Sequence, residues 1–371
     1  MRWRGWLMAG LGGTLALAAV VVSALCLGSG CSSVGYLAQA GAGHLAMAGS
    51  GRPVPEVVAD AATPAALRER LLLSQRMRDW AVSTLHLPDN RSYRSYADLG
   101  RPAAVWNVVA APELSLALRA WCFPVVGCVG YRGYYSLDAA NAAADELRQE
   151  PGLEVSVYPV PAYSTLGRTD WLGGDPLLNT FITWPEGELA RMIFHELSHQ
   201  VVYVPGDTMF NESYATAVER LGGDRWLHEQ ADAAAREQVA VLQARREAVR
   251  VLVNGARDEL AAVYASGRSE AQKREAKADV LARLQAGYAT LKREQWQGFN
   301  GYDAYFARMN NATLGVQAAY QQWVPAFEAL WRREGCDFAR FHRAVQTLAM
   351  LPKPDRDAAL TALLSSAPAA P

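Results

Sequence analysis

The sequence lacks an excess of charge of either sign. Its 36 Lys and Arg against 37 Asp and Glu leave a formal net charge of −1, and without a basic surplus it does not read as a nucleic-acid binder. Five cysteines in 371 residues are too few for a disulfide scaffold. Long apolar runs are scarce as well. Only one approaches spanning length, at the extreme N-terminus, which excludes a polytopic membrane protein. Histidine is scarce too, with six residues, so imidazoles found close together carry weight. What remains is a globular composition, 51 % hydrophobic and 20 % charged, long enough to bury a sizeable core.

The N-terminus reads as an address. Arg2 and Arg4 precede a charge-free run from Trp6 to Leu27, followed by Gly28-Ser29-Gly30-Cys31-Ser32-Ser33. A basic start, an apolar run and small residues make a secretory signal. The run also has the length of a retained transmembrane anchor, and simple cleavage would release a soluble body. All three place the body outside the cytosol. The cysteine directly after small residues resembles the lipobox of bacterial lipoproteins. That resemblance implies acylation of Cys31 and membrane attachment through the lipid. With Ser32 next, it also implies the periplasmic side of the outer membrane. Export gives Cys122 and Cys128, which bracket Phe-Pro-Val-Val-Gly, the chance to close a small disulfide loop. Two buried thiols are the alternative. Cys336 has no evident partner.

The fold class expected is α+β and predominantly helical. Residues 1–31 are the signal and anchor, and 32–52 are an Ala- and Gly-rich linker. Residues 53–223 hold the strands and two further helices, 224–296 a helical hairpin, and 297–371 a helical part that completes the domain begun by 53–223. Apolar spacing predicts a helix over 63–87, capped and opened by Thr63-Pro64. Strands are expected at 103–110 and 155–160, an extended stretch at 125–135 and a helix at 137–150. From Asp224 to Trp296 there is no proline and apolar residues recur at three and four. Broken once at 265–269, this reads as two long antiparallel helices.

Leu189 to Val204 has helical periodicity, with acidic Glu186 and Glu188 ahead of it at the positive end. Inside it stands His195-Glu196-Leu197-Ser198-His199. Residues i and i+4 share a helix face, so both imidazoles can turn to one ion. Glu196, beside the first histidine, reaches the attacking water instead and serves as general base. Zinc is the expected cofactor. A hydrolytic zinc site wants three protein ligands and one open position. His44, His86, His228 and His342 are poorly placed, and a carboxylate is nearer.

After Pro205-Gly206-Asp207 comes Asn211-Glu212-Ser213-Tyr214-Ala215. Here the sequence resembles the gluzincin type of zinc metallopeptidase, whose H-E-x-x-H helix is followed by a helix carrying Asn-Glu-x-x-Ala. The resemblance implies a gluzincin-like zinc peptidase core, here with an inserted long helical hairpin. It makes Glu212 the third ligand and Thr216 the group that orients a ligating histidine. Only twelve residues separate His199 from Glu212, fewer than in the best-known gluzincins, which calls for a tight connection. Glu219, two turns on, ranks behind Glu212 as a ligand and otherwise reads as a capping or salt-bridged surface residue. The whole pattern resembles a bacterial family of exported proteins described as predicted zinc aminopeptidases: the signal region, Trp-Cys-Phe-Pro-Val-Val-Gly-Cys with Tyr-Arg-Gly-Tyr-Tyr, and the two metal motifs.

An aminopeptidase grips a free α-amino group with a carboxylate. Glu186 is a candidate for that, or a cap for the metal helix. Leu177 to Trp184 could be an edge strand that pairs with an extended peptide, or an ordinary core strand. Tyr302, Tyr305, Tyr320, Asn310 and Asn311 are candidates to stabilise an oxyanion or touch substrate, and Arg132 is similarly ambiguous. The reading is a membrane-anchored zinc metallopeptidase, by resemblance an aminopeptidase, acting on peptides. The alternative is a non-catalytic lipoprotein with a structural metal and a partner-binding hairpin. The intact Glu196 favours the first, because a structural site needs no general base.

Overall fold

A computed structural model describes residues 31–123, 127–162, 173–318 and 322–366. The signal and anchor expected over 1–31 lie outside these apart from Cys31, the first residue of a helix. Among the described residues no helix is long and apolar enough to cross a membrane. The chain divides after Gly49. Before that point the described part is one helix, α1 (Cys31–Gly49).

The second unit begins with β1 (Arg52–Pro53), α2 (Val54–Ala59) and α3 (Ala65–Leu85). Thr63 does not cap α3. Its hydroxyl donates to Val57 O at 2.7 Å, and Pro64 holds the cap position. Then come β2 (Ser95–Ala97), β3 (Val105–Pro112), β4 (Trp121–Phe123), β5 (Gly127–Val129), β6 (Arg132–Tyr134), α4 (Leu137–Arg148), β7 (Leu153–Val160) and β8 (Leu177–Leu178). One sheet has the order β6-β3-β7, antiparallel throughout; another has β1-β2-β8, with β8 parallel to β2. β3 is buried from Val105 to Ala111. Alternation explains why: Val109 and Ala111 pack with Ala312, which leaves Val108 and Ala110 on the opposite face. The segment 177–184 forms strand only at Leu177–Leu178, and Phe181, Ile182 and Trp184 close turns on the residues before them. It is not the extended edge the sequence suggested.

Next are α5 (Glu186–Ser198), α6 (Thr208–Glu229), α7 (Ala233–Ala265) and α8 (Glu270–Thr290), the last continued by a π turn at Leu291–Gln295. Residues 224–229 therefore belong to α6 rather than to the hairpin. α7 and α8 run antiparallel, with Lys273 Nζ on Tyr264 O at one end and Leu252 against Gly287 further along. The Ser269–Gln272 capping box starts α8. The last helices are α9 (Asp303–Ala307), α10 (Asn311–Ala318), α11 (Val324–Arg333), α12 (Phe338–Ala349) and α13 (Lys353–Ser366). The result is mostly helical with small sheets, compatible with an α+β class.

Cys122 and Cys128 face each other across the β4–β5 pair and are disulfide-bonded. Cys336 is a free, exposed thiol.

Candidate active site

α5 forms because Leu189, Ile193, Phe194 and Leu197 make one apolar stripe, all fully buried. Phe194 packs on Trp80 and Trp226 at ring-centroid distances of 5.5 and 6.5 Å. The helix ends at Ser198, six residues before Val204, where its periodicity pointed. β-branched Val201, Val202 and Val204 run into Pro205, which disfavours helix. His199 still has helical backbone as the cap residue, so it keeps the i+4 relation to His195.

The short connection to α6 is secured by Asn211. Its amide donates to Val204 O and accepts from Val204 N, both at 2.8 Å. Asp207 caps α6 on Phe210 N at 3.2 Å. α5 and α6 approach closely because Gly223 has no side chain: a Cβ there would lie 2.5 Å from Arg191 Cγ. Tyr214 fixes the rotation of α6. Its hydroxyl bonds His342 Nδ1 at 2.8 Å, while His342 Nε2 meets Leu85 O at 2.8 Å. A carbonyl only accepts, so Nε2 carries the proton and Nδ1 accepts from the tyrosine.

These constraints bring three predicted ligands together. His195 Nε2 lies 3.4 Å from Glu212 Oε2 and His199 Nε2 lies 3.8 Å from Glu212 Oε1. One ligand atom of each of the three falls within 4.8 Å of the others. A tetrahedral ion with bonds of about 2.1 Å has ligand–ligand edges of about 3.4 Å, so the three donors could hold a metal ion after a small contraction. His199 Nδ1 is buried with no hydrogen-bond partner among the described residues.

The electrostatics ask for a cation. Burial pushes Glu196 up to about 7; the charge of His195 opposes this, and Glu212, Asp175 and Glu219 add to it. Burial also works against charged Glu212, but His199 and His195 outweigh it and hold that carboxyl below its usual range. Several carboxylates crowded in a partly buried space need positive charge among them.

Among the described residues Thr216 makes no hydrogen bond to a histidine. Glu219 does: its Oε2 lies 3.1 Å from His195 Nδ1. Burial alone would raise the Glu219 carboxyl, but His195, Arg246 and Arg191 outweigh it and keep it low. From the sequence Glu219 ranks below Glu212 as a ligand and otherwise reads as a capping or salt-bridged surface residue. The signal for its role was spacing, since 212, 216 and 219 share a helix face.

Several other candidates are committed elsewhere. Asn311 is fully buried and its amide donates to Pro112 O and Glu113 O at 3.0 and 2.7 Å while accepting from the Tyr264 hydroxyl. Asn310 caps α10 through Thr313 N and donates to Val155 O. Both are structural ties rather than oxyanion donors. Glu186 does not cap α5, where Pro185 holds the cap position, and its Oε1 accepts from Trp226 Nε1 at 2.9 Å. Arg132 lies over the Trp121 ring at 5.5 Å. Tyr320 lies outside the described residues. Tyr302 and Tyr305 line a cavity of about 1210 Å³ that Thr216 and Glu219 also line.

Sequence reasoning missed two tyrosines. Tyr158 on β7 accepts from Asn107 Nδ2 at 3.2 Å, and its hydroxyl lies within electrostatic reach of Glu212. Tyr93, fully buried with a φ of 64°, lies within reach of Glu196 and Asp175. Gln200, just past His199, ties the same loop down through Ser92 Oγ at 3.1 Å.

A family model described as "Putative aminopeptidase" matches residues 35–360. The chain belongs to this family. The match takes in both motif helices, the hairpin and nearly all of the C-terminal helices, and the family description names an aminopeptidase, a hydrolase of peptides. No curated protein and no solved structure matches the chain.

Proposed function

We propose that this family member is a zinc metallopeptidase, an aminopeptidase tethered to a membrane by its N-terminal segment. The observation that carries the reading is the convergence of His195, His199 and Glu212 beside Glu196. Two imidazoles and a carboxylate suit zinc, and three protein ligands leave a position open. The alternative of a purely structural metal leaves Glu196 without a task.

Zinc held there supplies Lewis-acid activation of water and of the scissile carbonyl. Glu196 takes the proton of the attacking water and returns it to the nitrogen as the C–N bond breaks. Glu219 accepts from His195 Nδ1, which leaves Nε2 free to face the ion. The Tyr158 hydroxyl, its oxygen engaged by Asn107, donates to the developing oxyanion. Cys31 is the proposed point of lipid attachment, on the periplasmic side of the outer membrane.

A peptide panel with free and N-acetylated termini tests the activity. Hydrolysis of the free peptides that stops on acetylation supports an aminopeptidase. Equal cleavage of both makes it an endopeptidase, and no cleavage by zinc-loaded protein contradicts the reading.

A further inference from the structure

The cavity beside the metal-holding group is lined by Thr216 and Glu219 of α6, by Arg257 of α7 and by Tyr305 of α9. Thr216 is one turn from Glu212 on the same helix face, and Glu219, which also lines the cavity, contacts His195, so the cavity adjoins the metal-holding group along α6. We propose that this cavity binds a carboxylate of the peptide substrate, held by the Arg257 guanidinium and the Tyr305 hydroxyl; the inference rests on the hydrolase reading.

Arg191, Arg220, Arg246 and Arg250 also line the cavity, and each is ion-paired to an aspartate or glutamate. Arg257 is different. Among the described residues it has no ion pair, and its buried Nε has no hydrogen-bond partner. The Tyr305 hydroxyl is likewise buried without a partner among the described residues. Arg308, whose charge also reaches that hydroxyl, has a buried and unpartnered Nε too. Asp258 also lines the cavity, but it lies about 100° round the helix from Arg257, is exposed and makes no ion pair with it.

Half-buried guanidinium groups without counter-ions are costly, and a planar carboxylate matches their donor fork. Burial, against the pull of Arg257 and Arg308, pushes the Tyr305 hydroxyl up to about 12. It is therefore protonated at neutral pH and donates. The acids that line the cavity, Asp224, Glu247 and Glu328, are paired with the other arginines and Glu219 with His195, so of the lining carboxylates only exposed Asp258 is unpaired, and none bonds Arg257 or the Tyr305 hydroxyl among the described residues. One cavity thus offers a hydroxyl donor with cationic donors around it, an arrangement for an anion. In a peptide the anion is the C-terminal carboxylate or an acidic side chain.

The test is calorimetric binding to the full chain carrying Glu196→Gln, which cannot turn its ligand over. The probes are alanyl-alanyl-phenylalanine, its C-terminal amide, and an amidated peptide with a penultimate glutamate. The free acid is expected to bind about ten- to a hundred-fold tighter than the amide, the range of a charged hydrogen-bonded contact. If the glutamyl amide binds like the free acid, the cavity takes a side-chain carboxylate as well as the terminal one; if it binds like the plain amide, it takes the terminal one alone. Adding Arg257→Met should abolish the preference, and Arg257→Lys should restore part of it. Tyr305→Phe, which removes one oxygen and keeps the ring, should reduce it several-fold and keeps the test decisive if Arg257→Met does not fold. Equal binding of acid and amide, no binding of the acid at millimolar concentration, or a preference untouched by both changes overturns the inference. Peptide turnover by wild-type protein is scored separately. Turnover with no carboxylate preference sinks only this inference, and preference without turnover sinks only the hydrolase reading.

Discussion

Glu219 Oε2 and His195 Nδ1 lie 3.1 Å apart, on the side of the ring opposite the nitrogen that faces Glu212. The carboxylate fixes which nitrogen keeps its proton and how the imidazole is turned. Removing such a partner costs about 10- to 100-fold in metal affinity. Glu219→Gln should therefore hold zinc 10- to 100-fold more weakly in a chelator competition while its thermal unfolding stays near wild type. An unchanged affinity would leave Glu219 a bystander.

Glu196 stands beside the three residues that could hold a metal ion but is assigned a proton, not the ion. In Glu196→Gln the zinc content should stay at the wild-type level while peptide turnover falls by about 10²- to 10⁴-fold, the usual worth of a positioned base. Parallel loss of zinc would instead make Glu196 a ligand.

His342 is buried and neutral, with its pKa brought down to about 4 by desolvation, against the pull of Leu85 O. An unfolded chain binds that proton near the ordinary 6.5. Between those two values the unfolded state holds more protons, so folding stability falls as pH drops from about 6.5 to about 4. The difference amounts to about 3 kcal/mol at most. Urea unfolding of the metal-free protein should show this slope, and His342→Gln should flatten it. An identical slope in the variant would show that other groups set it.

Asp207 couples the cap of α6 to a buried ion pair. Its Oδ2 accepts from Arg356 Nη2 at 2.7 Å, and both side chains are 4 % exposed. Burial tends to raise the Asp207 carboxyl, but Arg356, the Phe210 amide and Lys353 win and hold it low. Asp207→Ala removes the cap and leaves Arg356 buried alone, so it should cost about 3–5 kcal/mol. Denaturant unfolding measures it, and a loss under 1 kcal/mol would show that the pair contributes little.

What the sequence revealed was local. The two histidines and Glu196 sit on one helix, so spacing placed them, while Glu212, a short turn beyond, came from the resemblance carried by Asn211-Glu212-Ser213-Tyr214-Ala215. The stripe in β3 and the periodicity of α3, α7 and α8 were legible from spacing as well. Roles set by tertiary contact were not. Thr216 and Glu219 share a face, and only the rotation fixed by Tyr214 and His342 decides which meets His195. Asn311 looks like a free amide until β3 brings the Pro112 and Glu113 carbonyls to it. Tyr158 lies more than fifty residues before Glu212, and no local pattern connects them. The end of α5 at Ser198 was readable from the valines before Pro205, but the apolar periodicity masked it.

The most direct test is elemental analysis of the purified protein, wild type beside Glu212→Ala and His199→Ala. The account predicts close to one zinc per wild-type chain, removable by chelator and restored by zinc, with both variants nearly empty. Zinc at full occupancy in those variants, or none taken up by folded wild-type protein, would contradict it.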